Sequence, residues 1–225
     1  SGRRRDGDIQ FHVERLFGLH AVTVLSIDII HSAAADLTKS KHLTLWRRFI
    51  RSGLVFAVIA GPPCEPWSIA RTRSLDHRAP RVIRSVAAPW RSPDLTWREL
   101  KQISLANCLL QIALICFLDI MIVGGCAIVE HPAMIDLHVQ RNAPSIWRHP
   151  HTRSILRAPR SDLITFEQGY LGAPSAKPTS LLVYNLPTLR DRILAVSKPP
   201  VRKLDVLEGT EADGSFRTNR AKEYP

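Results

Sequence analysis

Two kinds of hydrophobic pattern alternate along the chain. Short apolar runs rich in β-branched residues predict strands buried in a sheet. These runs are residues 21–28 (AVTVLSID), 54–60 (LVFAVIA), 126–130 (CAIVE), 162–167 (DLITFE) and 180–185 (SLLVYN). Residues 41–53 instead carry apolar side chains at helical spacing and stop at Gly53, which predicts a helix between the first two strands. This alternation is typical of an α/β protein with a mostly parallel sheet.

One apolar segment is long enough to cross a membrane. Leu105–Val123 comprises nineteen largely apolar residues, about the length that a bilayer needs. Asn107, Gln111 and Asp119 lie on one face of the predicted helix. We therefore expect a nearly buried helix of a soluble domain and no contact with a membrane.

Composition and charge narrow the class of protein. With 225 residues, 45% of them hydrophobic and 23% charged, the chain resembles an average globular domain rather than a disordered or fibrous protein. Its four cysteines form no CxxC pair, so neither a zinc site nor a disulfide framework is indicated. We expect an intracellular location, the nucleus if the source is a eukaryote. The chain opens on Ser-Gly-Arg-Arg-Arg without a methionine or an apolar leader, so we expect a part of a larger polypeptide.

The formal net charge is +11, and it is unevenly distributed. Residues 71–98 contain seven arginines and two aspartates, and residues 141–160 contain five arginines and no acid. Trp90, Trp97 and Trp147 lie within these segments. Arginine with interleaved aromatics suits phosphate contacts and base stacking, so nucleic acid is one expected partner. A solvated basic surface, or one that faces an acidic neighbour, is the alternative.

The ends of the predicted strands carry the candidate chemistry. Ligands of parallel sheets bind beyond the carboxyl ends of the strands. Asp28, the segment 61–68 (GPPCEPWS) and the segment 130–132 (EHP) occupy these positions. Gly61 allows a sharp turn, and the two prolines after it would hold Cys64 rigidly at the lip of the sheet. The alternative is a purely structural role, in which Cys64 is a small buried side chain beside a turn.

The segment GPPCEPWSIAR (residues 61–71) resembles the nucleophile motif of the cytosine-5 DNA methyltransferases. Cys64 takes the nucleophile's position, Trp67–Ser68 that of an aromatic–Ser pair, and Arg71 that of an arginine, while Glu65 replaces the usual glutamine. The segment 128–132 (IVEHP) is similar to the family's strand that ends in Glu-Asn-Val, with Glu130 kept and the next two residues changed.

The resemblance implies a Rossmann-like, S-adenosylmethionine-dependent methyltransferase fold whose first strand is missing or incomplete. In such an enzyme Cys64 would attack cytosine C6, Glu130 would assist at N3, and the target base would be flipped out of the DNA. Ser68 and Arg71 would contact the nucleic acid. Three alternatives stay open: an inactive relative that only binds nucleic acid, an RNA cytosine methyltransferase, and a thiol hydrolase with His131 as its base.

The same resemblance predicts further site residues. For S-adenosylmethionine the predicted contacts are Gly2, Gly7, Asp28, Asp36 and Pro62. An acid such as Asp36 is also a common helix cap. Gln168 and Lys177 are predicted to face the target base and phosphate. We expect a catalytic domain over residues 1–195 and a C-terminal extension over residues 196–225 that leads into a final helix.

Overall fold

The computed structural model describes residues 8–18, 21–29, 31–68, 71, 81–136, 138, 143–201 and 203–205. Within them the chain folds as an α/β protein, which confirms the predicted class. The helices are α1 (Ile9–Phe17), α2 (Ser40–Arg51), α3 (Trp97–Ile122), α4 (Pro150–Leu156) and α5 (Leu189–Val196). The strands are β1 (Ala57–Ala60), β2 (Cys126–Pro132), β3 (Ser161–Glu167) and β4 (Pro178–Tyr184).

The four strands form one mixed sheet in the order β1-β2-β4-β3. Only β1 and β2 are parallel, and β4 is antiparallel to both of its neighbours. The prediction of a mostly parallel sheet is therefore wrong for the described residues. The connections between the strands explain this difference. Helix α3 forms a crossover between β1 and β2, which lets these two strands run parallel, whereas β3 and β4 are joined as a hairpin and run antiparallel.

The prediction of a strand over residues 21–28 is also wrong. This segment forms no strand, and Val22 and Leu25 are exposed. A strand is stabilised by its ladder partner as much as by its own composition, and among the described residues β1 pairs with β2 alone. The other four predicted strands and the helix at 41–53 are confirmed with shifted ends. The final helix expected at the end of the C-terminal extension lies outside the described residues.

Helix α3 provides much of the core. It begins at a capping box, in which the Thr96 hydroxyl accepts from the Glu99 N–H and the Glu99 carboxylate accepts from the Thr96 N–H. It packs against α2, β1 and β2, and Phe117 and Ile120 are fully buried. By length and composition alone α3 could cross a membrane, and half of its most apolar window is buried inside the fold. A single helix of this kind is weak evidence for a span.

A buried carboxylate joins α2 to α3. The Asp119 side chain is 2% exposed, and Arg47 and Arg51 each approach it to 2.6 Å. Burial favours a higher pKa for Asp119, but the hydrogen bonds from both arginines outweigh burial and lower that pKa. Asp119 therefore stays ionised in the folded protein, and its stabilising contribution is lost only when the pH falls through that lowered value.

We expect the double variant Arg47→Met/Arg51→Met to lower the free energy of unfolding by about 3 kcal/mol, because it leaves a buried charge without compensation. Asp119→Asn should cost less, about 1–2 kcal/mol, because the two arginines are 34% and 51% exposed and can turn to water. Urea unfolding measures both, with the exposed Arg48→Met as the control. A larger loss from Asp119→Asn than from the double variant would contradict this account.

The two faces of the sheet carry different cores. Alternation along β2 directs Ala127 and Val129 to the face covered by α3, and Ile128 to the face covered by α5. By the same alternation His131 belongs to the α3 face and Glu130 to the opposite face. Glu130 and His131 are adjacent in the sequence and therefore lie on opposite faces of the sheet.

Candidate active site

The turn after β1 fixes Cys64 at the carboxyl end of that strand. Residues 61–63 leave the strand, and Cys64 then precedes a 3-10 turn over Glu65–Trp67, in which the Trp67 N–H donates to the Cys64 carbonyl at 2.9 Å. Pro62 and Trp67 are buried, while the Cys64 thiol is free and half-buried. The prolines and the buried indole anchor the turn, so the sulfur is held in place.

Glu130 reaches the same edge of the sheet from β2. The parallel register sets Ala60, the last residue of β1, beside Val129, so Glu130 lies one position past the end of β1. Lys177, the residue just before β4, joins it with Nζ 3.8 Å from Glu130 Oε1. Both side chains are only 13% exposed. We call Cys64, Glu130 and Lys177 the thiol cluster.

The connection between β3 and β4 holds Lys177 in position. The Lys177 N–H donates to the Glu167 carboxylate, and the Lys177 carbonyl accepts from the Gln168 N–H at 3.3 Å and from Thr179 Oγ1 at 3.1 Å. The Gln168 amide in turn donates to Thr179 Oγ1 at 2.9 Å. Gln168 is buried, so in this structure it supports Lys177 from within, and its predicted contact with nucleic acid stays a prediction.

Electrostatics link the members of the thiol cluster. Burial raises the pKa of the Cys64 thiol, the Glu130 carboxylate raises that pKa further, and the Lys177 ammonium partly offsets both effects. Glu65 adds a smaller upward shift. Cys64 is therefore protonated at neutral pH and must lose its proton before or during any nucleophilic attack.

We expect the alkylation of Cys64 by iodoacetamide to accelerate about tenfold per pH unit between pH 7 and 9, because only the thiolate reacts. At fixed pH, Glu130→Gln should accelerate it by removing a like charge, and Lys177→Met should slow it by removing the cation. Peptide mass spectrometry separates Cys64 from the other cysteines, and the exposed Lys198→Met is the charge-matched control. Equal rates in all variants would show that the three groups do not interact.

Arg71 and Ser68, the predicted nucleic-acid contacts, lie just after the thiol turn. Arg71 donates to the backbone carbonyls of Glu65 (3.0 Å) and Arg81 (2.9 Å) and to Gln102 Oε1 (3.0 Å). These bonds link the turn to Arg81, in the segment before α3, and to Gln102 within α3. Ser68 ends the 3-10 turn and is half-buried. For both residues a contact with nucleic acid stays a prediction.

The tryptophans predicted to stack on bases differ in exposure. Trp97 is 72% exposed, with Lys101 Nζ 5.0 Å from its ring centroid. Trp90 is half-buried. Trp147 is buried, and its Nε1 donates to the Pro132 carbonyl at 2.7 Å, so it belongs to the core and the prediction for it is wrong.

The predicted cofactor residues are not gathered into one site by anything in the described part of the chain. Gly2 and Gly7 lie outside the described residues. Asp28 lies in irregular chain rather than at a strand end, which corrects the expectation that placed it there. The Asp36 carboxylate accepts from the N–H and the hydroxyl of Thr38, so it stabilises a local turn before α2. Pro62 is buried beneath the thiol turn.

A second cluster near the thiol turn was not predicted from the sequence. Arg84 is fully buried, with its Cζ 4.0 Å from the centroid of the Trp67 ring. His131 packs edge-on against Trp67 and Trp147, and burial together with the charges of Arg84 and Lys177 lowers its pKa to about 3. A pKa this far below neutral makes His131 a weak base for the Cys64 thiol, which disfavours the hydrolase alternative. In the sequence, the burial of Arg84 is indicated only by the apolar residues around it in the segment 81–90 (RVIRSVAAPW).

Comparison of the chain with protein-family models, with curated proteins and with solved structures gives no match. Any functional assignment therefore depends on the residues and their geometry.

Proposed function

We propose that this chain is a cytosine-5 methyltransferase domain that acts on DNA with S-adenosylmethionine as methyl donor. The observation that carries the proposal is the thiol cluster: Cys64 follows the carboxyl end of β1, and Glu130 with Lys177 lies at the adjacent end of β2. A nucleophile and a carboxyl group meeting at this edge are what the resemblance of residues 61–71 and 128–132 requires.

Cytosine C5 needs activation before it can take a methyl group, and the thiol cluster can supply it. The Cys64 sulfur bonds to C6, electron density moves through C5 and C4 to N3, and N3 takes a proton from the Glu130 carboxyl. Glu130 can carry the proton that the Cys64 thiol loses, so the step keeps its charge balance. After C5 is methylated, the C5 proton leaves to water, the C6–S bond breaks to release the thiolate, and N3 returns its proton to Glu130, so that the cytosine ring is neutral again.

Lys177 serves the same chemistry as a positioning residue. Its ammonium group lies 3.8 Å from the Glu130 carboxylate and lowers the pKa of Cys64, so it favours thiolate formation in a half-buried site. The hydrogen bonds of its backbone to Glu167, Gln168 and Thr179 keep it there.

S-adenosylmethionine, when bound, would supply an electrophilic methyl group. The described residues do not fit a pocket for it, because Asp28 ends no strand and the Asp36 carboxylate is bonded to Thr38. The mechanism above is accordingly built on Cys64, Glu130 and Lys177 alone. Cofactor binding is the part of the proposal that the resemblance alone supports.

DNA is the proposed substrate because of the net positive charge of the chain and the chemistry of cytosine methylation. The net charge of +11 favours a polyanion, and the exposed Trp97 offers a stacking surface within the arginine-rich segment. C6 of a stacked base is inaccessible, so the target cytosine must be flipped out or already single-stranded.

The second candidate is a nucleic-acid-binding module without catalysis. It is favoured because the predicted cofactor residues do not form a pocket in the described part of the chain.

Equilibrium dialysis with radiolabelled S-adenosylmethionine distinguishes the two candidates, since only an active domain needs the methyl donor. Methyl incorporation into matched single-stranded DNA, duplex DNA and RNA oligonucleotides then identifies the substrate. Donor binding with incorporation into DNA supports the first proposal. Oligonucleotide binding without donor binding supports the second, and incorporation into RNA alone moves the assignment to RNA.

A further inference from the structure

The chain that follows α5 folds back over the connection between β3 and β4. The Lys198 N–H donates to the Tyr170 carbonyl at 3.0 Å, so the chain meets this connection directly after α5 ends. Residues 203–205 meet the connection a second time, where Asp205 forms a parallel bridge with Ser175. We call residues 198–201 and 203–205 the C-terminal strap.

The second contact of the C-terminal strap lies directly before Lys177. The Asp205 N–H donates to the Pro174 carbonyl at 3.2 Å, and the Asp205 carbonyl accepts from the Ala176 N–H at 2.9 Å. Ala176 is the residue that precedes Lys177 in the chain. These backbone bonds therefore fix the chain at the point from which the Lys177 side chain reaches Glu130.

A side-chain contact reinforces these backbone bonds. Leu204 lies against Gly169: a Cβ atom added to Gly169 would collide with Leu204 Cδ1 and would lie 2.6 Å from Cδ2 and 3.0 Å from Cγ. The φ angle of Gly169 is not positive, so the space that Leu204 fills, rather than the backbone conformation, excludes a side chain there. Gly169 follows Gln168, whose N–H donates to the Lys177 carbonyl at 3.3 Å. Leu204 thus packs beside the residue that supports Lys177.

We propose that the C-terminal strap positions Lys177 in the thiol cluster, with Leu204 as the positioning residue. The strap holds the loop before Lys177 at two places, because Leu204 packs on Gly169 and the strap backbone is bonded to residues 174–176. Without the strap this loop keeps only its own internal bonds, so the Lys177 ammonium spends less time beside the other two groups of the cluster. The inference rests on the thiol cluster of the proposed function.

Alkylation of Cys64 by iodoacetamide at fixed pH measures this positioning, because the Lys177 ammonium favours the reactive thiolate. We expect Leu204→Ala to slow alkylation by about twofold or more, up to the loss caused by Lys177→Met. In the Lys177→Met background, Leu204→Ala should have no further effect, since the cation that the strap positions is absent. Val201→Ala is the matched control, because Val201 lies in the same strap and is fully exposed.

An exchange of side-chain volume provides a second test. Gly169→Ala places a methyl group in the space of Leu204, so it should also slow alkylation by about twofold or more. The double variant Gly169→Ala/Leu204→Ala should restore much of the rate, because the new methyl group fills the space that the leucine leaves. Hydrogen exchange of the Ala176 N–H, which bonds to the Asp205 carbonyl, reports in each variant whether the strap is released.

Three results would overturn the proposal. They are unchanged alkylation in a variant whose Ala176 N–H exchanges faster, equal slowing by Leu204→Ala with and without Lys177, and unchanged exchange of the Ala176 N–H in both single variants. Slowing in both single variants together with rescue in the double variant supports it. Alkylation needs neither S-adenosylmethionine nor DNA, so failure of this inference and failure of the proposed methyl transfer are observed separately.

Discussion

Cys64→Ser is expected to reduce methyl transfer by about 10³-fold or more, because no other described side chain of the thiol cluster can form the covalent bond to C6. A serine hydroxyl occupies nearly the same volume but is far less nucleophilic than a thiolate. Binding of an oligonucleotide should change little, since the charge of the domain is unchanged at neutral pH. Incorporation of labelled methyl groups and gel-shift titration measure the two quantities on one preparation.

Cys108→Ser is the control, because Cys108 is half-buried like Cys64 but lies within α3. This variant should keep the activity of the unchanged chain. Activity in Cys64→Ser equal to that in Cys108→Ser would show that no covalent attack by Cys64 takes place.

Glu130→Gln is expected to lower the rate of methyl transfer by about 10²- to 10⁴-fold, the usual contribution of a general acid or base. The amide keeps the size of the side chain and its place beside Lys177 but cannot pass a proton to N3. The same substitution should accelerate alkylation of Cys64, since it removes a like charge near the sulfur. Slower transfer together with a more reactive thiol distinguishes loss of proton transfer from damage to the nucleophile.

The matched control is Glu65→Gln. Glu65 also raises the pKa of Cys64, yet it is exposed and accepts from Gln102 Nε2 at 3.3 Å. Glutamine is the residue usual at this position in the family that the segment resembles, so this variant should retain activity. Equal losses in the two variants would indicate a general effect of negative charge rather than a specific role of Glu130.

The two central site residues could be identified from sequence because their positions follow from local rules. An apolar strand ended by Gly-Pro-Pro presents Cys64, and the next strand along the chain ends at Glu130. Parallel pairing of β1 with β2 through a helical crossover then brings both to one edge. Lys177 was suggested by resemblance alone, and its ion pair with Glu130 depends on the antiparallel register of β4.

Other features depend on contacts far apart in the sequence. The direction of β4 is set by the length of its link to β3, which the apolar pattern of Pro178–Tyr184 does not encode. Residues 21–28 have strand composition but no ladder partner. The sequence indicates a solvated basic segment around Arg84, whereas in the fold this side chain is buried, lies over the indole of Trp67 and donates to the carbonyls of Pro89 and Trp90.

Covalent trapping on a fluorinated base tests the central claim most directly. The protein is incubated with S-adenosylmethionine and an oligonucleotide that contains 5-fluorocytosine, whose fluorine cannot leave as a proton does, so the C6–S bond persists. We expect a denaturation-resistant adduct whose peptide map assigns the link to Cys64, and we expect Cys64→Ser to form none. An adduct at another residue, or no adduct from a preparation that binds both the donor and the oligonucleotide, would contradict the proposed mechanism.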